Sequence, residues 1–194
     1  PRAGTVEIVG CAYAQLAQDV KPQDRLLLAD GQIELEVQAI DGTRIDTVVR
    51  AGGELSDRKG LNLKGGGISA PALTDKDRVD IAFAAQQKVD YIAVSFARNA
   101  DDIVQARELL QAAGGFGHVC AKIERHEAIY SLNEIIDASN VVMVARGDLA
   151  VEMGYAELTG LQKTIIHRAR HRNKVVITAT QMMESMISSP VPTR

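Results

Sequence analysis

The sequence predicts an α/β protein in two parts, and three observations lead to this prediction. Residues 1–70 contain short stretches of alternating apolar and polar residues separated by Asp-Gly turns, which is typical of antiparallel β-structure. Residues 71–194 alternate continuous apolar strands with helical stretches, which is typical of repeated parallel βα units. A glycine-rich stretch that includes Gly65–Gly67, followed by Pro71, lies between them. We therefore expect a small β domain over residues 1–70 and an α/β domain over residues 71–194.

Four stretches of the first part are predicted to form strands. Thr5–Val9 alternates weakly, and Arg25–Ala29 is apolar and is followed by an Asp-Gly hairpin turn. Ile33–Ile40 alternates cleanly and turns at a second Asp-Gly pair into a returning strand over Arg44–Arg50. Short strands joined by such turns indicate a small barrel or a sandwich.

The second part begins at a predicted helix N-terminus. Thr74 is a suitable N-cap, Asp75 and Asp77 place carboxylates in the first turn, and the helix is expected to end near Gln87. The strands predicted after it are Val89–Val94, Val119–Ile123, Val141–Ala145 and Val175–Ala179, and the helices are Ala100–Ala112, one amphipathic helix before Val141, and Glu157–His171. Four such units form half of a (β/α)8 barrel, the TIM barrel, or a small open sheet.

The composition excludes several functional classes. With 46% hydrophobic and 24% charged residues over 194 positions, the chain resembles an ordinary globular protein with a substantial core. A formal net charge of -3 argues against binding of nucleic acid through bulk charge. No apolar run reaches the roughly 20 residues of a membrane-spanning helix, so we expect no membrane partner. Cys11 and Cys120 are far apart without metal-ligand spacing. Cys120 lies inside an apolar strand, so we expect a buried reduced thiol there and a cytoplasmic location.

Polar or charged residues follow every predicted parallel strand. Groups contributed by several strand ends favour the barrel, because ligands bind at the carboxyl ends of parallel strands. Glu124 and Asp148 offer hard carboxylate oxygens, which suit Mg²⁺ or Mn²⁺. Lys122, beside a metal and a phosphate, would neutralise charge that develops during phosphoryl transfer. A Lys-x-Glu or Arg-Gly-Asp sequence alone is usually a surface pair, but their occurrence on neighbouring strands favours a functional site.

Three long motifs occur in order along the second part: AKIERHEA around Glu124, VMVARGDLAVE around Asp148 and VITATQMMESM around Thr180. Together with RKGLNL, LTDKD and VSFAR, they resemble the pyruvate kinase family. The resemblance covers essentially the whole chain. It implies that residues 1–70 are most of a small β-barrel domain inserted into a (β/α)8 barrel, and that residues 71–194 are half of the catalytic barrel, from its third helix to its seventh strand.

The resemblance also implies roles for individual residues. Glu124 and Asp148 resemble the ligands of the divalent cation, and Lys122 resembles the catalytic lysine that stabilises the transition state. Gly147 and Asp148 resemble residues whose backbone amides hold the substrate carboxylate, and Thr180 resembles the catalytic threonine beside the enolate carbon.

The implied activity is phosphoryl transfer from phosphoenolpyruvate to ADP, which gives pyruvate and ATP in glycolysis. Mg²⁺ or Mn²⁺ is the implied cofactor, and Lys59 resembles the lysine of the inserted domain that reaches the nucleotide phosphates. The family also uses K⁺, whose ligands are absent from this chain together with the first barrel strands and the eighth. We therefore expect the 194-residue chain alone to be an incomplete, inactive fragment of a homotetrameric parent.

Two alternatives stay open at this point. A barrel lyase that acts on pyruvate enolates also uses paired carboxylates and Mg²⁺, but it needs no nucleotide-binding lysine at the position of Lys59. A folded piece without catalytic activity is the alternative outside enzymes.

Overall fold

The structure is a computed structural model, and it describes residues 4–180 and 182–191. The chain divides into two compact units, of which the first ends at Pro71 and the second begins at Ala72. Within these described ranges, no helix is both long enough and apolar enough to cross a membrane.

The first unit is built on an antiparallel sheet. Its elements are α1 (Leu16–Asp19), β1 (Arg25–Leu28), β2 (Ile33–Asp41), β3 (Arg44–Ala51) and β4 (Leu61–Leu63). The strands lie in the order β3-β2-β1-β4, so β3 and β4 are the two edges. Both predicted hairpins are confirmed, because β1 pairs with β2 and β2 pairs with β3 in antiparallel register. Leu16, Val20, Leu26, Val37 and Leu63 form a small apolar core.

The strand predicted over Thr5–Val9 is wrong. The stretch forms a turn instead, in which the Thr5 amide donates to the carbonyl of Ile8 at 2.8 Å. The Thr5 hydroxyl accepts the amides of Glu7 and Ile8 at 3.2 and 3.1 Å. A threonine side chain that satisfies nearby backbone groups competes with strand pairing, and the weak apolar alternation here offers no buried face to offset that competition.

The second unit is a parallel sheet in which α-helices follow each of the first three strands. Its strands are β5 (Tyr91–Val94), β6 (His118–Ile123), β7 (Val141–Ala145) and β8 (Val175–Ala179), in the order β5-β6-β7-β8. Its helices are α2 (Asp75–Gln86), α3 (Ala100–Ala112), α4 (His126–Tyr130), α5 (Leu132–Ala138), α6 (Arg146–Met153) and α7 (Tyr155–His171), and a 3-10 turn covers Glu184–Ile187. The predicted architecture of parallel βα units is confirmed by the pairing of these strands.

Two helical segments differ from the prediction. The single helix expected between β6 and β7 is divided into α4 and α5 at Ser131. After β7, the expected short turn is a helix, α6, and α7 follows it at once. Leu149 and Ala150 are buried, so packing stabilises a helix that the Arg-Gly-Asp sequence does not suggest. Gly154 then ends α6 with a φ of 91°, a conformation that favours glycine.

The two central strands, β6 and β7, are buried on both faces, whereas the outer strands β5 and β8 are partly exposed. Cys120 lies in β6, and burial raises the pKa of its thiol to about 11, although the nearby Lys122 ammonium acts in the opposite direction. This thiol therefore stays protonated near neutral pH. The same strand carries Lys122 of the candidate site, and Glu124 follows directly after its end.

The start of α2 gives a first testable prediction. Thr74 and Asp77 form a capping box, in which the Asp77 carboxylate accepts the Thr74 amide at 2.8 Å. Hydrogen bonds from the Thr74 side chain and backbone lower the pKa of Asp77. The resulting stabilisation is present above the ordinary pKa of the carboxyl group and is lost as the pH falls through the lowered value. We expect Thr74→Ala to cost about 1 kcal/mol of unfolding free energy near neutral pH.

Urea unfolding at a series of pH values from about 7 down to about 3 measures this effect. Asp77→Asn should remove part of the acid-induced loss of stability. Asp75→Asn is the matched control, because Asp75 is exposed in the same helical turn. An acid profile that is the same in Asp77→Asn and the unchanged protein would contradict the prediction.

Candidate active site

The centre of the candidate site is an ion pair at the carboxyl end of β6. Lys122 and Glu124 flank Ile123 and lie two residues apart, so their side chains point to the same face of the chain. The Lys122 Nζ lies 2.5 Å from Glu124 Oε1, and the Glu124 side chain is only 1% exposed. A carboxylate so deeply buried needs a compensating charge and hydrogen bonds. Lys122 provides the charge, while its own side chain is 25% exposed at the strand end.

The exit from β5 holds this ion pair in place. Val94 pairs with Ala121, which brings Ser95 and Phe96 alongside the end of β6. Lys122 Nζ donates to Ser95 Oγ at 2.9 Å, and the Phe96 amide donates to Glu124 Oε2 at 2.7 Å. Phe96 has a φ of 55°, a left-handed conformation that is uncommon for an aromatic residue. The turn after β5 therefore brings the Ser95 hydroxyl to the Lys122 ammonium and the Phe96 amide to the Glu124 carboxylate.

The exit from β7 leads directly into α6. Gly147 and Asp148 lie in the first turn of this helix, where backbone N–H groups have no partner within the helix. Such amides, together with the helix dipole, favour an anion. Ile123 of β6 pairs with Val144 of β7, so the ends of the two strands lie at the same edge of the sheet.

The exit from β8 brings Thr180 to Gly147. A Cβ atom added at Gly147 would lie 3.4 Å from Thr180 Cγ2 and 3.6 Å from its Oγ1. Arg146 fixes this arrangement: its Nε donates to the carbonyl of Ala179 at 3.1 Å, and its terminal nitrogen donates to the carbonyl of Thr180. Thr180 itself has a φ of 76°. Two segments predicted to bind one substrate are thus in contact.

Lys59 belongs to the first unit. It is exposed in the stretch between β3 and β4, and its predicted role at the nucleotide stays a prediction.

The carboxylates at the sheet edge fit a divalent cation. Each oxygen of Glu124 accepts from one group, Lys122 or Phe96, and a carboxylate oxygen can engage a further partner. Asp148 adds a second carboxylate from α6. Within residues 4–180 and 182–191, no group of three or more His, Cys, Asp and Glu residues could hold a metal. A site with two carboxylates, in which water and substrate occupy the other positions, would suit Mg²⁺ bound together with phosphates.

Sequence reasoning found the charged side chains of the site but missed one of its parts. The Phe96 amide is a backbone group, and only the register of β5 against β6 shows that it reaches Glu124. The sequence did offer one indication of this contact, because Ser95 and Phe96 directly follow an apolar strand and so lie at its carboxyl end.

A parallel βα sheet with an ion pair and a helix N-terminus at its carboxyl edge belongs to the class of α/β proteins in which ligands bind at the strand ends. The model of the pyruvate kinase barrel domain matches residues 2–194. The chain belongs to the pyruvate kinase family.

Several curated relatives carry the family name. The chain is 54% identical to the pyruvate kinase of Haemophilus influenzae over 98% of this chain and 41% of that protein. It is 54% identical to pyruvate kinase II of Salmonella typhimurium over 98% of this chain and 40% of the relative. It is 43% identical to the pyruvate kinase of Geobacillus stearothermophilus over 98% of this chain and 33% of the relative. The chain thus spans less than half the length of these relatives.

Proposed function

We propose that this chain carries catalytic elements of a pyruvate kinase, which transfers a phosphoryl group from phosphoenolpyruvate to ADP and gives pyruvate and ATP in glycolysis. The observation that carries the proposal is the Lys122–Glu124 pair, held by the β5 exit within a motif of the family. The names of the relatives support the same activity. A lyase is not favoured, because these relatives are named as pyruvate kinases.

Lys122 acts on the phosphoryl group in this mechanism. Its ammonium is fixed by Ser95 and Glu124, so little reorganisation is needed when charge develops on the transferring group. Glu124 and Asp148 would hold Mg²⁺ or Mn²⁺, which would supply Lewis-acid chemistry at the substrate oxygens. The pairing of Lys122 with Glu124 keeps the positive charge close to the reaction and compensates the buried Glu124 carboxylate.

The substrate carboxylate and the enolate are handled by the neighbouring strand exits. The amides of Gly147 and Asp148 bind the carboxylate at the start of α6. Thr180, whose side chain lies beside Gly147, would lie on the side of the enolate carbon that receives the proton. Lys59 binds the nucleotide phosphates from the β domain. K⁺ is required as in the family.

The finer architecture is part of the same proposal. Residues 1–70 are most of the inserted β-barrel domain, and residues 71–194 are half of the (β/α)8 catalytic barrel of a cytoplasmic homotetramer. The division at Pro71 and the sequential order β5-β6-β7-β8 support this assignment. In doubly wound sheets the strand order reverses at the ligand site, and it does not reverse among the strands of the described second unit.

Turnover of the full-length protein tests the proposal. Phosphoenolpyruvate, ADP, Mg²⁺ and K⁺ should give pyruvate and ATP, and omission of the divalent cation should abolish the reaction. Release of pyruvate without any need for nucleotide would contradict the kinase assignment and favour the lyase.

A further inference from the structure

Glu152 is a buried carboxylate for which the proposed mechanism has no role. It lies in the last turn of α6 and is 7% exposed. Glutamate is rarely buried to this extent unless its charge is compensated by partners. Its place in the structure therefore calls for a specific function.

The position of Glu152 connects it to both carboxylates of the candidate metal site. It follows Asp148 by four residues on α6, so the two side chains lie on the same face of that helix. Its Oε2 accepts the backbone amide of His126 at 2.7 Å. His126 is the first residue of α4 and follows Glu124 by two residues. The amide is one of those that a helix N-terminus leaves without an internal partner.

The hydrogen bond thus joins the turn that carries Glu124 to the helix that carries Asp148. The Phe96 amide holds Glu124 from the side of β5, where Ser95 also holds its ion partner Lys122. The Glu152–His126 contact holds the turn after Glu124 from the side of α6. A cation shared by Glu124 and Asp148 requires a fixed distance between their oxygens, because Mg²⁺ tolerates little deviation from octahedral geometry.

We propose that Glu152 is a positioning residue for the divalent-cation site, in which its carboxylate accepts the His126 amide and sets the spacing of Glu124 and Asp148. The inference rests on the proposed function. Residues that orient metal ligands typically change metal affinity by about 10-fold to 100-fold when they are replaced. Glu152 acts through the ligands and does not touch the cation.

Binding of Mn²⁺ to the full-length protein, followed by the electron paramagnetic resonance of the free ion, tests the proposal without measuring turnover. Glu152→Met removes the acceptor and should weaken Mn²⁺ binding about 10-fold or more. Glu152→Gln keeps an acceptor oxygen at the same reach and should retain Mn²⁺ affinity within about twofold of the unchanged protein. Glu157→Met is the control, because Glu157 is exposed in the first turn of α7.

The outcomes separate this inference from the proposed function. Unchanged Mn²⁺ affinity in a folded Glu152→Met variant overturns the inference but leaves the proposed function untouched. Equal loss of Mn²⁺ affinity in the Glu152→Gln and Glu152→Met variants also overturns it, because the negative charge of Glu152, and not its hydrogen bond to His126, would then explain the effect. Absence of Mn²⁺ binding in the unchanged protein overturns the proposed metal site itself. If Glu152→Met does not fold, Glu152→Asp replaces it, since the shorter side chain draws the carboxylate away from His126; wild-type affinity in that variant overturns the inference.

Discussion

Lys122→Met in the full-length protein is expected to lower kcat by about 100-fold to 1,000-fold, with a much smaller change in KM for phosphoenolpyruvate. The methionine keeps the length of the stem and removes the ammonium that lies 2.5 Å from Glu124. An interaction that strengthens only as charge develops on the phosphoryl group affects kcat and leaves ground-state binding largely unchanged. Exchange of protons on pyruvate should survive, because that half-reaction uses other groups.

The same substitution leaves Glu124 buried without its ion partner, so lost stability has to be separated from lost catalysis. The double variant Lys122→Met/Glu124→Gln removes the uncompensated charge and should recover thermal stability without recovering turnover. Lys163→Met is the control, since Lys163 is exposed on α7. An increase in KM at unchanged kcat would show that Lys122 binds substrate and has no special role in the transition state.

The second large effect is expected for Asp148→Asn, which should lower turnover by about 100-fold or more and weaken Mn²⁺ binding in parallel. The asparagine keeps an oxygen in nearly the same place but removes the negative charge that a hard divalent cation favours. Asp101→Asn is the matched control, because Asp101 is exposed in the first turn of α3. Activity close to normal, together with normal Mn²⁺ affinity, would contradict the assignment of Asp148 as a ligand.

The sequence predicted most accurately the bounds of strands and helices whose apolar pattern and end signals lie entirely within the element itself. β8 covers Val175–Ala179 and α3 covers Ala100–Ala112, as predicted, because a continuous apolar run and a capped amphipathic run each define their own limits. The start of α6 could not be predicted in this way. Arg-Gly-Asp is typical of a turn, and only the burial of Leu149 and Ala150 against the rest of the unit makes the segment helical.

The candidate site likewise has parts that the local sequence predicts and parts that depend on tertiary packing. Lys122 and Glu124 were predictable because their chemistry is visible in their side chains and because they end an apolar strand. Their contact with Ser95 and Phe96 depends on strand register, and the contact of Glu152 with His126 depends on how α6 packs beside α4. Contacts between segments separated by about twenty or more residues are set by tertiary packing, which no local pattern contains.

The buried thiol of Cys120 can be used to measure how often the central strand β6 opens. It lies in β6 two residues before Lys122, and in the folded protein it is both shielded and protonated. A thiol reagent can therefore modify it only while β6 is transiently open, so the labelling rate under native conditions measures the free energy of that opening. A ligand that binds only the closed site lowers this rate by the factor 1 + [L]/Kd. The rate of Cys120 modification therefore reports ligand binding beside Lys122, without any measurement of turnover.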